Sequence, residues 1–152
     1  MTKPTSRAFG LTLAACLLAA LALAVPASSE KTSLTAKLAG SEEVKKGDED
    51  GSGTATVKTD DEKGTVCFKL TYSGIDAPTK GHIHKGVKGK DGKIVVTLFD
   101  GEAKKSGCVK DVSKSLVKQI AAKPAGFYPN LHNEAFPDGA VRGQLAAEKP
   151  KQ

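Results

Sequence analysis

The chain has 152 residues, with 23 Lys+Arg against 17 Asp+Glu and a formal net charge of +6. That length suits one domain with an appendage and excludes a large multi-domain machine. Nearly all the basic residues are lysines interspersed with acids, and no Arg-rich stripe marks a nucleic-acid binder.

Leu11 to Val25 carries no charge and is dominated by Ala and Leu; Lys3 and Arg7 precede it, and Val25-Pro26-Ala27 follows. This is the layout of a secretory signal peptide over residues 1–27, which leaves a single domain over 28–152 and places it in the periplasm or outside the cell. Leu13-Ala14-Ala15-Cys16 also resembles a lipoprotein box, but the apolar run continues past Cys16, so lipid anchoring there is the lesser reading. No second long apolar run exists, so no membrane span is expected, and an ordinary cytoplasmic enzyme is excluded.

Beyond the leader the periodicity is mostly two. Leu34, Ala36 and Leu38 alternate with polar residues as in a half-buried strand. Residues 41–53 are charged and Gly-rich and read as a mobile loop. Thr54 to Lys58 is a second strand, and a polar turn leads into Thr65 to Tyr72, where Val66, Phe68 and Leu70 share a face. These make a hairpin about Asp61–Gly64. A connection over 73–80 leads to a short strand, Gly81-His82-Ile83-His84-Lys85-Gly86. A loop with Asp91-Gly92 at its turn follows, then a β-branched strand over 94–99. Residues 111–123 form the one helical stretch, with Asp111 or Ser113 as cap and Pro124 and Gly126 ending it. Phe127 to His132 is a strand whose Pro129 suggests an edge or a bulge. A turn over 136–139 joins it to a last strand, Ala140 to Ala146, and residues 149–152 are a polar tail. Seven short strands and one short helix predict an all-β, Greek-key-like antiparallel β-sandwich.

Once Cys16 leaves with the leader, two cysteines remain, Cys67 and Cys108. In an exported chain such a pair reads as a disulfide. Lysines 80, 85, 88, 90 and 93 make one loop region basic, and its field would attract a small anion.

All three histidines of the chain fall on predicted strands. On a strand, residues i and i+2 share a face about 6.5–7 Å apart, so His82 and His84 point together while Ile83 faces the core. Alternation likewise places Tyr128, Asn130 and His132 on one face of their strand. Arg142 and Gln144 lie opposite the core-facing Val141 and Leu145, and the hairpin brings Arg142 toward His132. Three imidazoles from two strands can converge on one ion. Imidazole ligands suit copper, zinc, iron (haem included) or nickel, and three histidines with no carboxylate or thiolate fit either catalytic zinc or redox copper. Tyr128 and Asn130 would orient ligand histidines from behind. As plain residues, the histidines would only decorate a sheet and Arg142 would make a salt bridge.

At these residues the chain resembles the CHRD-domain proteins, a family named after repeats in chordin. Landmarks are Leu38-Ala39-Gly40-Ser41-Glu42-Glu43-Val44, Gly81-His82-Ile83-His84, Ser106-Gly107-Cys108, 124–132 and, most specific, 136–145. The resemblance covers Leu34 to Leu145 and implies an all-β extracellular domain. The layout is also similar to that of the copper/zinc superoxide dismutases, which pair a β-sandwich with an HxH strand, a distant histidine, a disulfide and an arginine beside copper. That resemblance implies a mononuclear copper site on His82, His84 and His132, with Arg142 as the catalytic, anion-guiding residue and superoxide as substrate. Those enzymes also use a metal-bridging histidine and zinc ligands, which this chain lacks. The competing readings are a non-catalytic extracellular binding module and a metal carrier without turnover. Oligomeric state is left open, a dimer included.

Overall fold

The computed structural model describes Met1 and residues 31–148. The leader expected over residues 1–27, with Cys16, and the polar tail fall outside the described residues apart from Met1. Among the described residues no helix is long and apolar enough to cross a membrane.

Among the described residues nine strands form one antiparallel sheet: β1 Lys31–Ala39, β2 Ser52–Asp60, β3 Thr65–Ser73, β4 Lys80–Lys85, β5 Lys93–Asp100, β6 Ser106–Val109, β7 Phe127–His132, β8 Val141–Arg142 and β9 Ala146–Ala147, with an α-helix, α1, at Lys114–Ala122. The strand order is β5-β4-β7-β8-β1-β2-β3-β6, with β9 added on β1. The sheet curls until β5 and β6, its two edges, lie against each other, giving the closed, barrel-like sandwich that the alternation predicts. Leu34, Val57, Phe68, Leu70, Ile83, Leu131, Val141 and Leu145 fill its interior, and Val117 and Ile120 of α1 join them. Burying this apolar set is the main force holding the sheet closed.

Several local expectations change. The unforeseen strand β6 pairs with β3 in register Cys67↔Cys108, where the two cysteines form a disulfide. The last strand breaks into β8 and β9, and Gln144, between them, shares its two Nε2 hydrogens among the carbonyls of Gly86, Ala125 and Phe127 at 2.7, 2.7 and 3.1 Å. The helix begins at Lys114. Ser113 takes the capping position without a capping hydrogen bond, and its hydroxyl meets that of Ser115 instead.

Pro129 sits in an interior strand, not at an edge: β7 pairs with both β4 and β8. Its carbonyl accepts from Gly143 N at 3.2 Å, so the donor it lacks faces the same side, toward β8, and the β4 side of β7 loses nothing. The segment expected to be a mobile loop is packed. A 3-10 turn, Gly40–Glu42, leads into it, Gly47 and Gly51 are buried, and Asp48 N donates to Ala140 O at 2.9 Å.

Candidate metal centre

Strands β4 and β7 are buried on both faces, unlike the half-buried strands around them. Inward, Ile83 and Leu131 are fully buried in the core. Outward, where a solvated face would be ordinary, His82, His84, Asn130 and His132 are covered, with exposures of 7, 9, 2 and 8 %. Loop segments supply the cover. The β4–β5 loop brings Gly92 over His84, and the loop after β7 brings Pro137 over His132. Gly92 has to be glycine for that return, since a Cβ there would lie 2.0 Å from the Lys85 carbonyl oxygen. Two register shifts against β5, at Gly81/His82 and Ile83/His84, flank the histidines and re-aim them.

The three rings form a compact cluster. Centroids lie 5.7 Å apart for His82–His84, 5.0 Å for His82–His132 and 6.1 Å for His84–His132. One ring nitrogen from each lies within 4.8 Å of the other two. His84 Nδ1 donates to Gly92 O at 2.8 Å and His132 Nδ1 to Pro137 O at 3.0 Å. A carbonyl only accepts, so both rings carry their proton on Nδ1 and leave Nε2 bare. His132 Nε2 faces His82 Nδ1 at 3.2 Å, while His84 Nε2 is buried without a hydrogen-bond partner. A buried acceptor left bare is unfavourable unless something fills the place it points to.

Electrostatics keep the rings neutral. Burial, then the neighbouring His132 and His84, push His82 down to about 4. Burial lowers His84 against its Gly92 hydrogen bond, with Arg142 adding to the lowering, and burial lowers His132 against its bond to Pro137. Neutral imidazole is the metal-binding form, so the cluster could hold a metal ion.

Tyr128 stacks on His84 at 4.9 Å with only 8° between the planes, and its hydroxyl accepts from Gly92 N at 3.0 Å. It therefore buttresses both the ring and the loop that fixes the ring's tautomer. Asn130 Nδ2 donates to Val141 O and to the Glu43 carboxylate. Arg142 lies opposite Asn130 in the ladder, two residues along β7 from His132. It is 2 % exposed, lies 4.2 Å over the Tyr128 ring, and donates to Asp91 at 3.3 Å and to Lys90 O at 3.2 Å. Tyr128 is thus sandwiched between Arg142 and His84. In the basic loop region, Lys88 pairs with Glu42 and Lys85 bonds Gln119.

Beside His84 a polar cavity of about 220 Å³ is lined by Glu43, Lys45, Asp91, Tyr128, Asn130 and Asp138. Sequence reasoning missed Glu43, Asp91 and Asp138 here. Asp91 and Asp138 read only as turn residues, and Glu43 only as part of the family-like run 38–44.

The family model described as the CHRD domain matches residues 34–145. No curated protein and no solved structure matches the chain significantly.

Proposed function

The chain belongs to the CHRD-domain family, and we propose that it is an exported metalloprotein whose His82, His84 and His132 hold one transition-metal ion, copper foremost. The observation that carries this reading is the buried convergence of three neutral imidazoles, two of them locked in the Nδ1–H tautomer, with His84 Nε2 bare. An all-nitrogen donor set favours copper, with iron and zinc as the alternatives. Three rings converging from two adjacent strands suit a bare ion better than haem, which offers only two axial positions. On binding, His82 would shift its proton from Nδ1 to Nε2 to present the free lone pair. The Cys67–Cys108 disulfide supports export to an oxidising compartment.

A redox-active ion in this place would supply one-electron chemistry, and dismutation of superoxide is the activity proposed for it. The protein's own part is to hold the imidazoles, to keep Tyr128 and Gly92 behind His84, and to leave a small polar cavity at that ring. Arg142, through its charge beneath Tyr128, would set the field that an incoming anion meets.

The test is titration of metal-free protein with Cu(II), followed by superoxide decay measured by pulse radiolysis. One tight equivalent with catalytic decay supports the enzyme. One tight equivalent without turnover leaves a metal carrier, and no specific binding overturns both and leaves a non-catalytic binding module.

A further inference from the structure

Glu43 occupies a place no sequence signal marked. It follows the 3-10 turn at Gly40–Glu42 and reaches into the cavity beside His84. Asn130 Nδ2 donates to its Oε1 at 2.5 Å. Two glycines make room for it. A Cβ on Gly139 would lie 2.7 Å from both carboxylate oxygens, and one on Gly47 would lie 2.6 Å from Glu43 Cγ. Gly139 also has φ +144°, where other residues are strained. The slot is therefore shaped around this side chain.

The neighbouring cations are held by other acids. Arg142 bonds Asp91, Lys45 bonds Asp138 at 3.1 Å, and Lys88 bonds Glu42 at 2.7 Å. Among the described residues no cation lies within ion-pair distance of Glu43. The groups facing it are Arg142 from β8, Asp91 from the β4–β5 loop, Lys45 from its own segment, Asp138 from the loop before β8, and His84 and Tyr128 across the cavity. Burial pushes Glu43 up to about 7, with Arg142 and the Asn130 hydrogen bond pulling it down and Asp91 pushing it further up.

We propose that Glu43 is the positioning residue for a small anion in the cavity beside His84: its carboxyl, held by Asn130 in the slot between Gly47 and Gly139, donates a hydrogen bond to the anion when protonated and repels it when charged. This rests on the metal reading of the histidine cluster, since the bound ion is what draws an anion there. Glu43 is a gate on ligand binding, one step removed from the ligand histidines.

Azide is the probe, because it stays a monoanion across the range of interest. Full-length mature protein would be loaded with one equivalent of Cu(II), and azide affinity followed by its charge-transfer absorption from pH 6 to pH 8. The expected result is a loss of affinity of at least about tenfold over that range: one group titrating near 7 gives about tenfold, and the charge of the bound ion, which favours the carboxylate, makes the loss larger. In Glu43→Gln, whose amide still donates, the profile becomes flat near the acid-side affinity. A flat wild-type profile overturns the proposal, whether or not the variant folds. An inflection that survives in Glu43→Gln belongs to another group, such as bound water, and also overturns it. Failure of the wild-type protein to take up copper is a separate result. It refutes the metal reading, and the gate falls with it.

Discussion

The disulfide offers a perturbation whose size can be worked out beforehand. Cys67 on β3 and Cys108 on β6 are 41 residues apart in sequence, and the loop they close contains all of β4 and β5. Cross-linking a loop of that length removes denatured-chain entropy worth about 4 kcal/mol at 25 °C. The β3–β6 ladder survives in the double variant Cys67→Ala/Cys108→Ala, so the loss falls mainly on the unfolded state. For a domain of this size about 4 °C accompanies each kcal/mol, so Tm should fall by about 15 °C. Urea denaturation should give the same free-energy loss with a larger m-value, because the uncrosslinked unfolded chain exposes more surface. Hydrogen exchange should show the amides of β6, the strand at the end of the sheet, opening first. The histidines lie on β4 and β7, away from the cross-link, so metal uptake should persist at temperatures where the variant is folded. A loss below about 1 kcal/mol would refute the entropic reasoning. A folded variant that no longer takes up metal would show that the site depends on the staple in a way its geometry does not suggest.

Three further outcomes follow from the site. The metal-free protein should lose stability as pH falls from about 6.5 toward 4, because the depressed folded-state values of the three histidines make the unfolded chain bind more protons there; Glu43, raised to about 7, works in the opposite direction between pH 4.5 and 7, so replacing all three histidines with Gln should remove or reverse the acid sensitivity seen by thermal denaturation. Tyr128→Phe keeps the stack on His84 and loses only the acceptor for Gly92 N, so it should lose about 1 kcal/mol and keep its metal, whereas Tyr128→Leu, which also removes the stack and the face under Arg142, should lose about 3 kcal/mol and bind metal more weakly by titration. Gly139→Ala should destabilise by about 1–3 kcal/mol and displace Glu43, seen as a loss of the Asn130 side-chain amide shift in NMR spectra.

The alternation was readable where a side chain answers only to its own strand. Ile83 points inward between two outward histidines, and Val141 and Leu145 face the core with Arg142 turned away. Cys67 and Cys108, left as a pair once Cys16 is assigned to the expected leader, pointed to their own pairing. Burial of the histidines was not readable, because strand period tells which face a residue is on and says nothing of what covers that face. The cover comes from Gly92 and Pro137, loop positions whose carbonyls carry no sequence signature. Glu43 meets Asn130 across 87 residues, a contact no local pattern encodes. The four residues of β6, with Gly107 among them, are too few to show an alternation. Pro129 misled for a related reason. A proline's missing donor costs a bond on one side of the strand only, and β7 keeps its bond from Gly143 N there and its full pairing with β4 on the other side.

Everything else depends on His82, His84 and His132 holding an ion in the protein as its own cells make it. This is tested most directly by elemental analysis of the protein purified without added metal from the cells that make it, beside a His82→Ala/His84→Ala variant shown to be folded by circular dichroism. About one equivalent of a transition metal, copper foremost, is expected in the wild-type protein and none in the variant. An equal metal content in both, or none in either even after reconstitution, would contradict it.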